Sequence, residues 1–267
     1  MPLVDSPRVV VTGAGSGLGR AFCLELARRR GARILCADID EAAAHKTAAT
    51  VGGIAARCDV GRAEEVQALA DAAEREFGGV DLVINNAGVA VGGRVGEVAL
   101  DDWRWVMDVN LWGVIHGCHV FAPRLRAQGR GHILNVASAA GLLAPPGMAP
   151  YNVTKAAVIA LSETLSAELK DAGVGVTVLC PTFFRTNIAN SSRAVDGKQR
   201  ALVEKLMARS KVQADDVARL ALDAAARNEL YALPHADGRW MWRLKRWAPS
   251  SYVAVTARVA SRMLRSD

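Results

Sequence analysis

Two side chains capable of acid–base chemistry, Tyr151 and Lys155, lie four residues apart, just before the apolar run AAVIALSETLSAEL. Residues at this spacing share one face of a helix, so both groups could meet the same ligand. A tyrosine titrates near pH 10, and acting as an acid or base near pH 7 requires roughly 4 kcal/mol of electrostatic help. A fixed lysine cation could supply part of this stabilisation. The spacing alone favours a half-buried tyrosine beside a solvated lysine, so a catalytic role for the pair depends on evidence from the rest of the chain.

A glycine-rich loop lies close to the N-terminus. The β-branched run RVVVT at residues 8–12 leads into Gly13-x-x-x-Gly17-x-Gly19, and a helical pattern follows. In a strand–loop–helix unit, glycines allow the backbone to approach a phosphate, and the helix N-terminus offers unpaired N–H groups and a positive dipole end. The loop therefore indicates a nucleotide cofactor more strongly than it indicates a plain βα turn, although the spacing departs from GxGxxG.

A carboxylate follows the second predicted strand, ARILCAD, which ends at Asp38. A carboxylate about twenty residues after the glycine loop can accept hydrogen bonds from the adenosine ribose and repel a 2′-phosphate. Neither Ser16 nor Ile39 offers a positive charge for such a phosphate. We therefore expect NAD rather than NADP, and a second role for Asp38 as the cap of a helix over residues 41–50 is compatible with this.

Strands and helices alternate along the rest of the chain, which predicts an α/β fold: a single Rossmann-type, doubly wound parallel sheet of about seven strands with helices on both faces. Ligands bind such sheets at the carboxyl ends of the strands. The polar residues and glycines that fall at this edge are Gly13–Gly19, Asp38, Asp59, Asn86–Gly88 and Ser138. We expect one domain over residues 1–234, including a substrate-loop insert at about 187–213, followed by a C-terminal helical extension over residues 235–267.

Composition excludes several classes of protein. The chain has 267 residues, 51% of them hydrophobic, which is ample for a large core. Its five cysteines form neither CxxC pairs nor metal-ligand clusters with histidine, so we expect reduced cysteines and no metal. No signal peptide is apparent, and no apolar run approaches the roughly eighteen residues of a membrane span. These features are typical of a cytoplasmic protein.

The C-terminal extension is basic, with seven arginine and lysine residues against two aspartates over residues 235–267, while the rest of the chain is nearly neutral. Its last segment has the pattern of a basic amphipathic helix, and Trp240, Trp242 and Trp247 alternate with cations. Such a tail could lie on an anionic membrane, cover the substrate pocket, contact a second subunit or simply pack on its own core. Nucleic acid is not expected, because the body has no supporting basic patch.

In combination, these features resemble the short-chain dehydrogenase/reductase family over residues 8 to about 234. The residues that carry the resemblance are Thr12-Gly13-x-x-x-Gly17-x-Gly19, Asp59, Asn85-Asn86-Ala87-Gly88, Asn110, Ser138, Tyr151-x-x-x-Lys155 and Thr186.

The resemblance implies roles for these residues. Tyr151 would exchange a proton with the substrate oxygen, and Lys155 would lower the pKa of Tyr151 and hold the nicotinamide ribose. Ser138 would hydrogen-bond the substrate, and Asn110 would anchor a proton-relay water. The expected cofactor contacts are Gly13, Ser16, Gly17, Leu18 and Gly19 at the pyrophosphate, Asp38 at the ribose, Asp59 and Val60 at the adenine, Asn86, Ala87 and Gly88 near the nicotinamide, and Thr186 at its carboxamide. Tyr151 and Lys155 are also expected to contact the cofactor.

Two departures from the family pattern concern the loop after the sixth strand and the C-terminus. Members commonly carry Pro-Gly where this chain has Pro181-Thr182, so that loop can differ in shape. Tetrameric members usually end in a DGG-like turn, which Pro234–Arg239 does not match. A homo-oligomer, dimer or tetramer, is still expected.

The expected pocket lining is largely apolar and favours a lipophilic alcohol or ketone. It comprises Val89–Val91, Leu142, Leu143, Pro145, Met148, Phe183 and Phe184.

The sequence thus favours an NAD-dependent alcohol dehydrogenase or ketone reductase acting on CH–OH groups. An NADP-dependent carbonyl reductase is the first alternative, and Asp38 argues against it. A cofactor-binding scaffold with a partner-binding tail is the second, and the complete set of Ser138, Tyr151 and Lys155 argues against that.

Overall fold

A parallel sheet of seven strands forms the centre of the protein, which a computed structural model describes over residues 6–29, 31–185, 192–193 and 197–265. The strands of this sheet are β1 (Arg8–Thr12), β2 (Arg33–Asp38), β3 (Ile54–Arg57), β4 (Leu82–Asn85), β6 (Gly131–Val136), β7 (Val174–Leu179) and β9 (Tyr231–Ala232). They lie in the order β3-β2-β1-β4-β6-β7-β9. The chain therefore reverses its direction of winding between β1 and β4, and sheets of this kind bind ligands at the carboxyl edge beside such a reversal.

Helices cover both faces of the sheet. Their bounds are α1 (Gly17–Arg28), α2 (Glu41–Val51), α3 (Ala63–Phe77), α4 (Leu100–Met107), α5 (Gly113–Gln128), α6 (Ala139–Leu143), α7 (Ala149–Leu169), α8 (Gly197–Arg209), α9 (Ala214–Ala226), α10 (Ala236–Trp247) and α11 (Pro249–Arg265). The expected doubly wound α/β fold is thereby confirmed.

Alternate side chains of the strands enter two separate cores. On β1, Val10 packs with α3, α5 and α7, whereas Val9 and Val11 pack with α1 and α9 on the opposite face. Continuous β-branched runs suit strands that are buried on both faces. The short apolar runs of the sequence therefore predicted these strands well.

The long helical segment between β5 and β6 is divided. A π-helical turn, Asp108–Trp112, lies between α4 and α5. Such a turn inserts an extra residue into the helix and commonly marks a functional position. Here it contains Asn110, which is fully buried.

The described part of the insert lies beside α4. Two short strands, β5 (Ala90–Val91) and β8 (Ser192–Arg193), pair in parallel. The Arg193 guanidinium lies 3.8 Å above the ring of Trp105, and it also forms an ion pair of 3.4 Å with Asp102. These contacts hold Arg193 next to the helix that precedes Asn110.

The predicted helical extension forms two helices, and the first of them is α10. It packs on α6 and on β9, where the rings of Trp242 and Tyr231 are 5.1 Å apart. The second helix, α11, buries Tyr252 against Ala139 and Leu143. The sequence left open whether the extension packs on its own core, covers the pocket, contacts a second subunit or lies on a membrane. The structure shows that one side of the extension packs on residues of the main domain.

A buried histidine makes stability depend on pH. His132 on β6 is buried, its Nε2 lies 2.9 Å from Thr177 Oγ1, and burial lowers its pKa to about 4. The folded state thus disfavours the charged ring. Stability is complete above the unfolded pKa near 6.5 and is lost as pH falls toward about 4, by about 3 kcal/mol in total.

We expect His132→Gln to lose less free energy of unfolding than the native protein between pH 6.5 and 4.5, as measured by urea denaturation. The exposed residue His45 provides the control, and His45→Gln should follow the native profile. Equal slopes for His132→Gln and the native protein would contradict this role of His132.

Candidate active site

The hydroxyl of Thr12 connects two loops at the carboxyl edge of the sheet. Its oxygen accepts hydrogen bonds from the backbone N–H groups of Asn86 and Ala87, at 3.0 and 3.2 Å, and donates to the carbonyl of Ile84. The Asn86 amide in turn donates to the Thr12 carbonyl at 2.8 Å. The glycine loop and the loop after β4 therefore form one bonded unit.

The glycine loop has the shape that an anionic group requires. Gly13 and Gly17 have positive φ angles of 66° and 49°, and a Cβ on Gly19 would overlap the Gly13 carbonyl. Ser16 is the N-cap of α1, but its side chain makes no capping bond, so N–H groups of the first turn stay available. The side chain of Leu18 is buried in the core, which leaves only its backbone for ligand contact.

Asp38 lies beside this loop, as expected. Its two carboxylate oxygens accept hydrogen bonds from the backbone N–H groups of Gly15, at 2.8 Å, and Asp40, at 3.0 Å. A cleft of about 500 Å³ opens there, lined by Gly15, Ser16, Arg20, Asp38, Asp40, Ala43, Lys46, Thr47 and Thr50. The expected capping role belongs to Asp40, which accepts from the Ala43 N–H group. Two cationic side chains, Arg20 and Lys46, also line the cleft, and the sequence spacing did not indicate them.

Asp59 and Val60 follow β3. The Asp59 carboxylate accepts from the Gly61 N–H group at 3.0 Å. Val60 is buried, and a Cβ on Gly113 would lie only 2.6 Å from its side chain. Val60 is therefore a core residue that helps to position α5, and only its backbone remains to face a ligand.

Asn110 pairs with both polar backbone groups of Val89. Its Oδ1 accepts from the Val89 N–H group and its Nδ2 donates to the Val89 carbonyl, each at 2.8 Å. A Cβ added to Gly88 would lie 3.2 Å from Asn110 Oδ1 and 3.6 Å from Lys155 Nζ. Asn110 thus fixes the loop that passes beside Lys155, as expected of an amide that bonds backbone.

Ser138, Tyr151 and Lys155 lie around a single position. Ser138 follows β6 and caps α6 by accepting from the Ala140 N–H group at 3.1 Å. Tyr151 and Lys155 are both buried in the first turns of α7, with Lys155 Nζ 5.7 Å from the centroid of the Tyr151 ring. The Lys155 ammonium donates to the Val136 carbonyl at 2.9 Å. All three side chains thus lie at the carboxyl edge of β6.

Burial controls the protonation of the pair. Burial raises the pKa of Tyr151, and a hydrogen bond with Ser138 opposes that rise. Burial also lowers the pKa of Lys155, to about 8. The pKa of Tyr151 therefore moves in the direction opposite to the one expected from Lys155, because loss of hydration is the larger effect.

The expected pocket lining divides into two groups. Phe184 and Val91 are buried and pack in two of the hydrophobic cores. Phe183, by contrast, is 38% exposed, and Leu142 and Met148 are half-buried. The expected contact Thr186 and most of residues 187–196 lie outside the described residues.

The loop after β7 is held by the extension, which the sequence did not indicate. The Thr182 N–H group donates to His235 Nδ1 at 3.3 Å. A Cβ on Gly238 would lie 2.7 Å from Thr182 Cγ2. The departure from Pro-Gly at Pro181-Thr182 and the close approach of α10 therefore occur together.

Comparisons with known proteins give a consistent result. Residues 7–197 match the family model described as short chain dehydrogenase. A crystal structure of a short chain dehydrogenase/reductase from Burkholderia phymatum, in complex with NAD, is 41% identical and aligns with a TM-score of 0.86, covering 93% of this chain and 95% of that one.

Two curated relatives extend the comparison. The probable oxidoreductase EphD of Mycobacterium tuberculosis is 40% identical over 225 residues, which cover 79% of this chain but only 38% of that protein. The 1-deoxy-11-beta-hydroxypentalenate dehydrogenase of Streptomyces exfoliatus is 35% identical over 86% of this chain and 83% of its own length. With its parallel sheet and its glycine loop, the chain belongs to the short-chain dehydrogenase/reductase family of oxidoreductases.

Proposed function

We propose that the protein is an NAD-dependent oxidoreductase that interconverts a secondary alcohol and a ketone. The observation that carries the proposal is the position of Tyr151, Lys155 and Ser138 around one point at the sheet edge, next to a loop shaped for an anionic group. A purely binding protein has no need of a buried lysine beside a buried tyrosine.

The proposed mechanism assigns a separate task to each residue. When bound, a nicotinamide cofactor supplies or accepts the hydride. Ser138 hydrogen-bonds the substrate oxygen and orients it. Tyr151 carries its proton at neutral pH, because its pKa is raised, and donates that proton to a ketone oxygen. In alcohol oxidation the proton moves the other way, from the alcohol to the ionised Tyr151. Lys155, which is charged below its pKa of about 8, stabilises that tyrosinate.

The preference for NAD rests on Asp38. Its carboxylate is held beside the glycine loop by two backbone N–H groups, and a nucleotide 2′-phosphate there would meet a fixed negative charge. The NAD complex of the relative from Burkholderia phymatum supports the same choice. The NADP alternative keeps one specific argument, since Arg20 and Lys46 line the same cleft.

We further propose a lipophilic substrate and a cytoplasmic homo-oligomer. The partly exposed side chains of Leu142, Met148 and Phe183 support an apolar substrate. The five cysteines are free thiols, which supports a reducing compartment. Members of the family are commonly oligomeric. Among the described residues, no helix is long and apolar enough to cross a membrane.

Replacing Tyr151 by Phe tests the catalytic proposal. We expect kcat to fall by at least about 100-fold with a secondary alcohol that the native enzyme oxidises, because the proton acceptor is lost. NADH affinity should stay within about threefold, since binding energy from the rest of the cofactor site is unchanged. The control is Tyr231→Phe, which removes a hydroxyl bonded to Glu163 away from the site. Undiminished turnover by Tyr151→Phe would refute the enzyme assignment.

The cofactor preference is tested by titrating NADH and NADPH and following fluorescence. We expect the native protein to bind NADH at least about tenfold more tightly, and Asp38→Asn to reduce that ratio, because the repulsion of the 2′-phosphate is removed. Asp40→Asn is the matched control, since Asp40 lines the same cleft but caps α2. Equal or tighter NADPH binding by the native protein would instead assign the 2′-phosphate to Arg20 and Lys46.

A further inference from the structure

The inner face of α10 contacts both loops that border the proposed substrate position. Gly238 lies against Thr182 of the loop after β7. Lys245 Nζ donates to the Leu142 carbonyl in α6 at 2.7 Å, so it also holds the segment that follows Ser138. With Trp242 packed against Tyr231, these contacts fix the rotation of the helix about its axis.

The opposite face of α10 is apolar and exposed. Trp240, Leu244 and Trp247 follow one another at the i, i+4 and i+7 spacing of one helix face. Their side chains are 70%, 45% and 90% exposed. Single exposed apolar residues are ordinary, but two tryptophans and a leucine on one face form a patch of the kind that marks an interaction surface.

Arg243 adds a positive charge to this patch, whereas Arg239 and Lys245 donate to main-chain carbonyls of the body and Arg246 lies over the ring of Trp242. Residues 236–247 contain three arginines and a lysine against a single aspartate. Arg243 lies between Trp240 and Trp247 on the same face and is exposed. Within the described residues, no hydrogen bond or ion pair connects Arg243 to another group. A partner is therefore expected to bring negative charge to the apolar surface.

We propose that the outer face of α10 docks on an anionic phospholipid surface. Tryptophan is enriched where hydrocarbon meets headgroups, because its ring is apolar and its N–H group needs a polar acceptor. Arg243 then meets lipid phosphates, and juxtamembrane cations of this kind add to the attraction. The contact is peripheral, because α10 is a 12-residue helix that lies on the protein surface.

Charge argues against a second copy of the chain as the occupant. A two-fold contact through this face would bring Arg243 of both copies into one interface, and like charges across an interface oppose association. An anionic bilayer has the complementary charge. The proposal goes beyond the redox function and does not depend on it.

The test is co-sedimentation of the purified full-length protein with vesicles. One set contains phosphatidylcholine alone, and the other contains phosphatidylcholine with phosphatidylglycerol. We expect at least about tenfold tighter binding to the anionic vesicles, and weaker binding at high salt. Trp240→Ser/Trp247→Ser should lose about tenfold or more in affinity, and Arg243→Gln should lose mainly the preference for phosphatidylglycerol.

Trp112→Ser is the matched control, because Trp112 is also exposed but lies in the π-helical turn, away from the extension. It should bind vesicles like the native protein. Thermal unfolding and NADH binding of every variant confirm that the fold and cofactor site are intact, so that failure of membrane binding and failure of the enzyme assignment remain separate results.

Native protein that binds both vesicle types equally, or not at all, would overturn the proposal. So would a double tryptophan variant that binds as tightly as the native protein. If the double variant instead dissociates a native oligomer while vesicle binding is absent in both, the face is a contact between copies and the lipid proposal is wrong.

Discussion

Burial of the sheet on both faces is the constraint on which the rest of this protein depends. When alternate residues of each strand enter opposite cores, as Val10 and its neighbours do on β1, no polar side chain fits the middle of a strand unless it is fully bonded. Asn85 and Asn135 meet that condition, because the amide of Asn85 donates to Asn135, which donates to Ser162. Other polar chemistry is displaced to the carboxyl edge, where Thr12, Asp38 and Ser138 lie.

The same burial sets the electrostatics of the proposed acid–base pair. Both ionised forms lose hydration, so the tyrosine resists losing its proton and the lysine gives its proton up more readily. Each group then needs a specific partner for its charged form. The carbonyl of Val136 is such a partner for Lys155, and Ser138 is one for Tyr151. The protonation states of Tyr151 and Lys155 therefore respond strongly to any charge placed next to them, as the groups of a reaction centre must.

Sequence patterns predicted the sheet and the residues at its carboxyl edge because both are local properties of the chain. Short β-branched runs, glycine spacing and the residue at each strand end are all visible without tertiary contacts. The properties that these sequence patterns could not predict depend on tertiary packing. The burial of Val60 and Phe184, the π-helical turn at Asn110 and the direction of the Tyr151 pKa all follow from neighbours that are distant in sequence. The exposure of Trp240 and Trp247 on α10 likewise depends on which face of the helix packs on the body.

The bond between Lys245 and the carbonyl of Leu142 has a consequence for how such a scaffold can diversify. Lys245 holds the α6 segment beside the proposed substrate position through a main-chain atom, as His235 holds the loop after β7 at Thr182, so neither contact requires a particular side chain on the held segment. The loop residues can change identity while their backbone keeps its support. In the proposed enzyme, substrate selectivity and support of these two segments are therefore tasks of different parts of the chain, and a library that varies the segments' side chains alone could alter the former without losing the latter.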